Sequence, residues 1–232
     1  MERHIRKEID NLKKHLLSLS SMVENNLDEA VYSLIERDTE KAREVMNRDS
    51  EVDLKEVEIE EECLKVLALH QPVAIDLRLI VSIMKINDHL ERIGDLATNI
   101  AERAAFLSTR AECEIDLDFD RMSGKVTSML SRALDSLVKE DPRLAWEVCG
   151  DDDEVDSMNR QMYIAVQKGI EKHPERMEEI IHMLSVSRHL ERIGDLATNI
   201  AEDVIYMIEG RIVRHNLENY GNSNKYINPE DK

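Results

Sequence analysis

The first segment of the chain has apolar residues at the spacing of a packed helix. Successive apolar positions are separated alternately by four and three residues, at Ile5, Ile9, Leu12, Leu16, Leu19 and Val23. This spacing is typical of the apolar seam that a helix presents in a bundle. It predicts a first helix that ends at about Arg37.

Helix-capping residues and a proline divide the remainder of the first half. The Asp-Thr pair at 38–39 is a favourable helix start, so we expect a second helix that ends at about His70. Pro72 follows it. Because a helix tolerates proline in its first turn, Pro72 predicts a third helix over 72–107.

The second half of the chain has a similar arrangement of helix-capping residues and prolines. Asp141-Pro142 is a cap followed by a first-turn proline, and His173-Pro174 restarts the chain in the same way. The segment 108–120 has no regular periodicity and is expected to link the two halves. The expected helices of the second half lie near 119–140, 141–172 and 174–209.

Together these elements predict an all-α protein, with six long helices that form two tandem, pseudo-symmetric three-helix bundles. The first bundle is expected over 1–110 and the second over 119–215. The polar, Asn-rich segment 216–232 is expected to be disordered. Composition supports the helical class, because seven Gly, four Pro and two Phe in 232 residues leave little material for turns or strands.

Composition and charge also restrict where the protein acts and what it binds. The chain has no apolar run near the roughly 18 residues of a membrane helix, and its start lacks the apolar stretch of a signal peptide. We therefore expect a cytoplasmic protein that is peripheral to a membrane at most. A formal net charge of −18 disfavours nucleic acid and favours cations and basic protein surfaces. The widely spaced Cys63, Cys113 and Cys149 predict neither a disulfide framework nor a thiolate metal site.

One fourteen-residue segment occurs twice without a change. Residues 89–102 and 189–202 both read HLERIGDLATNIAE, whereas the flanking residues have diverged almost completely. A structural helix needs only its apolar pattern, because cores accept many volume-conserving hydrophobic substitutions. The retained polar residues therefore suggest that their side chains have a chemical role and do not serve packing alone.

A weaker repeat adds acidic residues from the preceding helix of each half. At an offset of 103, residues 33–53 align with 136–156, and ten of the twenty-one positions agree. The matched positions include two acidic pairs with a spacing of four residues, Asp49 with Asp53 and Asp152 with Asp156.

Helical periodicity places the oxygen-bearing side chains of the long repeat on one face of their helix. Carboxylates that interrupt an apolar face are costly unless they are neutralised, and ligand sets made only of oxygen suit Mg²⁺, Mn²⁺, Ca²⁺ or ferric iron. We therefore predict a multinuclear metal site in each half. The predicted ligands are Asp49, Asp53, Glu91, Asp95 and Asn99 in the first half and Asp152, Asp156, Glu191, Asp195 and Asn199 in the second.

Two other interpretations of the acidic residues remain open. They could form an ordinary solvated helix face, or a salt-bridged network with the neighbouring Arg92 and Arg192. An oxygen-activating di-iron bundle would need Glu-x-x-His on two helices, and only Glu179-x-x-His182 fits. No redox enzyme is predicted.

The repeated segment also contains residues with structural interpretations. His89 and His189 lie away from the acidic face and are expected to pack in a core or an interface. Gly94 and Gly194 stand in mid-helix, where glycine costs about 1 kcal/mol relative to alanine. They suggest that another helix approaches closely beside the acidic residues.

These features together resemble the PhoU family of phosphate-signalling accessory proteins, over residues 1 to about 215. The resemblance rests on both copies of ERIGDLATNIAE, on QPVAIDLRLIVSIMK at 71–85 and on EGRIVRH at 209–215. It implies a fold of two three-helix bundles. It also implies that the Glu-x-x-x-Asp motif holds multinuclear clusters of Mg, Mn, Fe or Zn. Leu96 and Leu196 replace a histidine that many members have, which makes zinc less certain.

The resemblance further implies a regulator and no enzymatic reaction. PhoU proteins restrain phosphate uptake and phosphate-starvation gene expression through the ATPase of the phosphate ABC transporter (PstB-like) and a membrane sensor kinase (PhoR-like). We accordingly expect a metal-binding cytoplasmic adaptor, in the form of a homodimer. A metal-dependent phosphohydrolase and a metal-free structural bundle are the alternatives. The sequence shows no outstanding base or nucleophile for the first, and the second leaves the fourteen-residue identity unexplained.

Overall fold

Six long helices account for nearly all of the chain described by the computed structural model, which covers residues 2–112, 115 and 117–213. They are α1 (Glu2–Ile35), α2 (Thr39–His70), α3 (Ala74–Ser108), α4 (Phe119–Lys139), α5 (Pro142–Lys172) and α6 (Met177–Glu209). The described residues contain no strand, so the all-α prediction is confirmed. None of these helices is both long and apolar enough to span a bilayer. The tail predicted to be disordered lies outside the described residues.

Two of the predicted helix starts have the expected caps. The side chain of Asp38 accepts hydrogen bonds from the backbone N–H groups of Glu40 and Lys41, both at 3.0 Å. Asp141 accepts a bond of 2.9 Å from the backbone N–H of Arg143, and Pro142 occupies the first turn of α5. These bonds satisfy N–H groups that have no partner within the helix.

The other two starts differ from the prediction by two to three residues. Gln71 has a φ of 46° and ends α2, and the extended Val73 precedes the first residue of α3, so Pro72 lies in the connection. Likewise, Pro174 begins a short 3₁₀ turn, and α6 starts only at Met177. In both connections the proline lies before the first residue of the α-helix.

The helices pack in two groups of three that meet along one pair. Helices α1, α2 and α3 contact one another, as do α4, α5 and α6, and α3 packs against α6 along most of its length. The pair is antiparallel, since Arg78 Nε donates to the backbone carbonyl of Met207 (3.0 Å) and Phe106 stacks on His182 (4.1 Å). The two bundles therefore share one apolar core. The domain limits 1–110 and 119–215 stay predictions.

Candidate metal sites

Three acidic side chains converge where α2 crosses α3. Glu91 and Asp95 lie one turn apart on α3 and face Asp53 of α2, and one ligand oxygen from each lies within 4.8 Å of the other two. We call these three residues the first carboxylate cluster. In the second half, α5 and α6 bring together the matching residues with the same closeness. This second carboxylate cluster consists of Asp156, Glu191 and Asp195.

A glycine in each repeated segment lets the two helices approach at this point. A Cβ added to Gly94 would lie 3.0 Å from Val52 Cγ1, and one added to Gly194 would lie 3.3 Å from Val155 Cγ1. Both valines are buried, and each immediately precedes the aspartate of its cluster. The expected close approach is confirmed, and it is the contact that brings the aspartate to the two acidic residues opposite.

Burial and neighbouring negative charges disfavour the ionised form of Glu91 and Asp95 in the first carboxylate cluster. Burial raises the pKa of Glu91 to about 7, and the negative charges of Asp95 and Asp53 add to the effect. The pKa of Asp95 is also raised, first by burial and then by Asp49 and Asp53. Both shifts arise from desolvation and like charge, the combination that a bound cation would relieve.

The second carboxylate cluster has the same electrostatic character. Burial raises the pKa of Asp195 to about 6, and Glu191 and Asp152 raise it further. The pKa of Glu191 is raised by burial and by Asp156, and Arg192 offsets only part of this rise.

These shifts argue against a salt-bridged network as the reason for the acidic residues. Close cationic partners would lower the pKa of a carboxyl group, whereas the four acidic residues that α3 and α6 contribute to the clusters have raised pKa values. Arg92 pairs with Asp88, outside the cluster, at 3.3 Å. In the second half Arg160 reaches Asp156 at 3.5 Å. The clusters therefore retain negative charge that an oxygen-seeking cation could balance.

Asp49 and Asp152 lie beside the clusters and are not among the converging ligand atoms. Asp49 accepts a hydrogen bond of 2.8 Å from Thr98 Oγ1, and Asp152 accepts one of 3.2 Å from Thr198 Oγ1. The sequence interpretation missed both threonines, because it considered charged and amide ligands only. The repeat could have indicated them, since Thr98 and Thr198 both belong to the fourteen-residue segment that occurs twice without a change.

The two predicted asparagine ligands lie in a pocket between the clusters. Asn99 Nδ2 donates to the backbone carbonyl of Asp95 at 2.8 Å, so this amide is engaged with its own helix. The pocket has a volume of about 510 Å³ and receives matching residues from the two copies of the repeat. It is lined by Arg92, Asp95, Leu96 and Asn99 of α3 and by Arg192, Asp195, Leu196 and Asn199 of α6.

The histidines of the repeat lie at the junction of α3 and α6, as expected. His89 Nε2 is 3.4 Å from Oδ2 of the buried Asp203, whose Oδ1 is 3.1 Å from Lys85 Nζ. His189 instead lies near Arg103, and burial, followed by the charge of Arg103, lowers its pKa. Positions 103 and 203 correspond in the repeat but carry opposite charges.

The isolated Glu-x-x-His match lies apart from the clusters. Glu179 pairs with Arg176 at 3.1 Å, and His182 stacks on Phe106. Each carboxylate cluster thus offers oxygen ligands alone. This donor set fits hard cations such as Mg²⁺, Mn²⁺ or ferric iron better than soft metals.

Comparison with known proteins identifies relatives over nearly the whole chain. The family model described as the PhoU domain matches residues 16–104 and again 119–204. A phosphate-specific transport system accessory protein PhoU homolog from Aquifex aeolicus is 37% identical over 90% of this chain and 95% of its own length. A protein with the same description from Pseudomonas aeruginosa is 36% identical over 90% of this chain and 86% of its own.

Solved structures match the same extent of the chain. The crystal structure of PhoU from Pseudomonas aeruginosa aligns with a TM-score of 0.87 and 35% identity, over 89% of this chain and 99% of that one. A phosphate transport system regulatory protein PhoU from Streptococcus pneumoniae aligns with a TM-score of 0.81 and 26% identity, over 90% and 99% of the two chains.

Proposed function

Since the chain belongs to the PhoU family, we propose that it is an accessory protein that restrains the uptake of phosphate by a phosphate-specific transport system. The observation that carries this proposal is the extent of the similarity. Relatives named as accessory proteins of that system share 36–37% identity with it over 90% of the chain. Both halves, each with one carboxylate cluster, lie within the matched region.

Metal binding by the two carboxylate clusters is the second part of the proposal. Asp53, Glu91 and Asp95 would hold cations in the first half, and the duplicate residues would do so in the second. When bound, the cations supply positive charge that offsets the desolvated carboxylates. The acidic side chains would then fix α2 against α3 and α5 against α6. Asp49, Asp152 and the two asparagines would support or complete these shells.

The proposed mode of action is that of an adaptor in the cytoplasm. The ATPase of the phosphate transporter and a membrane sensor kinase are the proposed partners, and a homodimer is the proposed form. A net charge of −18 favours contact with basic protein surfaces, and such contacts weaken as salt rises. This role needs surfaces and conformational states of the bundle, and it needs no chemical step.

Deletion of the gene tests the regulatory role. In phosphate-rich medium, cells without the protein should take up more phosphate than wild-type cells or accumulate polyphosphate. The wild-type gene should restore control. The purified protein should retain the transporter ATPase in a pull-down that weakens at high salt. A deletion strain with normal phosphate control would contradict the proposal. If the purified protein also turned over phosphate esters, and Glu191→Ala/Asp195→Ala abolished that turnover, it would be a hydrolase.

A further inference from the structure

A third group of ligand-type side chains lies on a different pair of helices. His15 of α1 and Glu58 and Glu62 of α2 each offer one ligand atom, and these atoms lie within 4.8 Å of one another. The first carboxylate cluster uses α2 and α3 instead. Because successive residues of a helix are rotated by about 100°, Glu58 lies about 140° around α2 from Asp53, on another face.

The backbone of this group is anchored by the core between α1 and α2. His15 precedes the buried Leu16, Glu58 precedes the buried Ile59, and Glu62 precedes the buried Cys63. The ligand atoms therefore lie at the edge of a packed seam. A site built on rigid helices holds its ligands more firmly than one built on loops.

The side chains already converge and remain accessible. His15 Nδ1 lies 2.8 Å from Glu62 Oε2, and the two side chains are 33% and 37% exposed. Lys55 Nζ lies 2.7 Å from Oε2 of Glu58 and so engages only one of its two oxygens. Tetrahedral zinc with bonds of about 2.0–2.1 Å requires ligand atoms about 3.3 Å apart. Small side-chain rotations would reach that separation.

We propose that His15, Glu58 and Glu62 bind a single transition-metal ion of the Zn²⁺ class, with water completing the coordination shell. One imidazole nitrogen and two carboxylates form a mixed ligand set of the kind that zinc accepts. The carboxylate clusters provide oxygen alone. The protein thus has two kinds of metal site, which differ in the metal that they select.

The second half of the chain lacks this third site and provides an internal control. The offset of 103 that aligns 33–53 with 136–156 places Asp118, Gln161 and Ala165 at the positions of His15, Glu58 and Glu62. No imidazole and only one carboxylate occur there. The protein should therefore bind one zinc-class ion of this kind, not two.

The test is a zinc titration of the intact protein, observed through the nitrogen resonances of the imidazole rings in two-dimensional NMR. The His15 resonances should shift with the first equivalents of Zn²⁺, and this signal does not depend on how many ions the carboxylate clusters take. His15→Gln and Glu62→Gln should each weaken the binding of one zinc ion at least tenfold. The matched control is His173→Gln, because the His173 side chain is also accessible and its Nδ1 lies 3.5 Å from Oε1 of Glu175.

Two results would overturn the proposal. One is an unchanged His15 spectrum at zinc concentrations that saturate the rest of the protein. The other is equal zinc binding by His15→Gln and His173→Gln, with circular dichroism showing that both variants are folded.

Discussion

Replacement of Gly94 by alanine tests whether the contact between α2 and α3 positions the first carboxylate cluster. The added Cβ would lie 3.0 Å from Val52 Cγ1, inside the distance of about 3.5–4.0 Å at which carbon atoms attract one another. At Gly194 the corresponding distance to Val155 Cγ1 is 3.3 Å. Gly94→Ala should therefore push α2 away from α3, and Gly194→Ala should require a smaller shift.

Two opposing effects set the size of the change. Alanine is favoured over glycine inside a helix by about 0.8–1.0 kcal/mol, whereas overpacking a core contact costs about 1–3 kcal/mol. The difference between these two terms lowers the free energy of unfolding of Gly94→Ala by up to about 2 kcal/mol. Gly194→Ala should change it by less than about 0.5 kcal/mol. An added Cβ at Gly124 meets no packed neighbour within 4 Å, so Gly124→Ala should raise it by about 1 kcal/mol.

Urea unfolding followed by circular dichroism measures these changes, provided that the slope with denaturant is the same in all variants. Calorimetric metal titration measures the effect on the site. Gly94→Ala should weaken cation binding to the first carboxylate cluster, because it moves Asp53 away from the residues on α3. Adding Val52→Ala should relieve the overlap, with a favourable coupling energy of about 1 kcal/mol in a double-mutant cycle.

Equal stabilisation by Gly94→Ala and Gly124→Ala would refute this reasoning, because it would mean that α2 does not restrict the space at Gly94. A destabilised Gly94→Ala protein with unchanged metal affinity would show that the glycine serves packing alone.

Three further predictions concern the clusters and the helix junction. Glu91→Gln/Asp95→Asn should remove about half of the bound metal in elemental analysis while the helical circular dichroism persists; unchanged stoichiometry would contradict the site. In metal-free protein the pKa of Glu91 is about 7 and that of Asp195 about 6, above their ordinary 4.5 and 3.8, so protonation favours the folded state. The unfolding temperature should therefore rise as pH falls from about 8 to about 5.5, and Glu91→Gln/Asp195→Asn should flatten that rise. Asp203→Ala removes the carboxylate 3.1 Å from Lys85 and should lower the free energy of unfolding by about 1–3 kcal/mol, whereas a change below about 0.5 kcal/mol would show that the pair contributes no more than an exposed ion pair.

Much of the helical fold follows from local features of the sequence. The cap at Asp38 and the cap with proline at 141–142 depend on residues that are neighbours in the chain, and both predictions are confirmed. The start of α3 was predicted two residues early. Gln71 adopts a left-handed conformation that is uncommon for residues other than glycine, and no local pattern indicated it.

The sites depend in part on contacts that sequence cannot locate. The i, i+4 spacing of Glu91 and Asp95 predicts that the two side chains share a helix face, because this follows from the periodicity of any α-helix. That Asp53, and not Asp49, converges with both Glu91 and Asp95 depends on where α2 crosses α3, at the contact beside Gly94. His15 and Glu62 are 47 positions apart, and only the packing of α1 on α2 brings them together.

The antiparallel junction of α3 and α6 gives a reason for the identity of the two fourteen-residue segments. Because the copies meet around Asp95 and Asp195, each segment is both a ligand scaffold in its own half and a packing partner of its duplicate. This arrangement is self-complementary, like the interface of a two-fold symmetric dimer, and a change in either copy alters the surroundings of both. Covalent fusion of the halves frees them from strict symmetry beyond the segment. Arg103 and Asp203 use that freedom, since they carry opposite charges at matching positions, which identical subunits could not do.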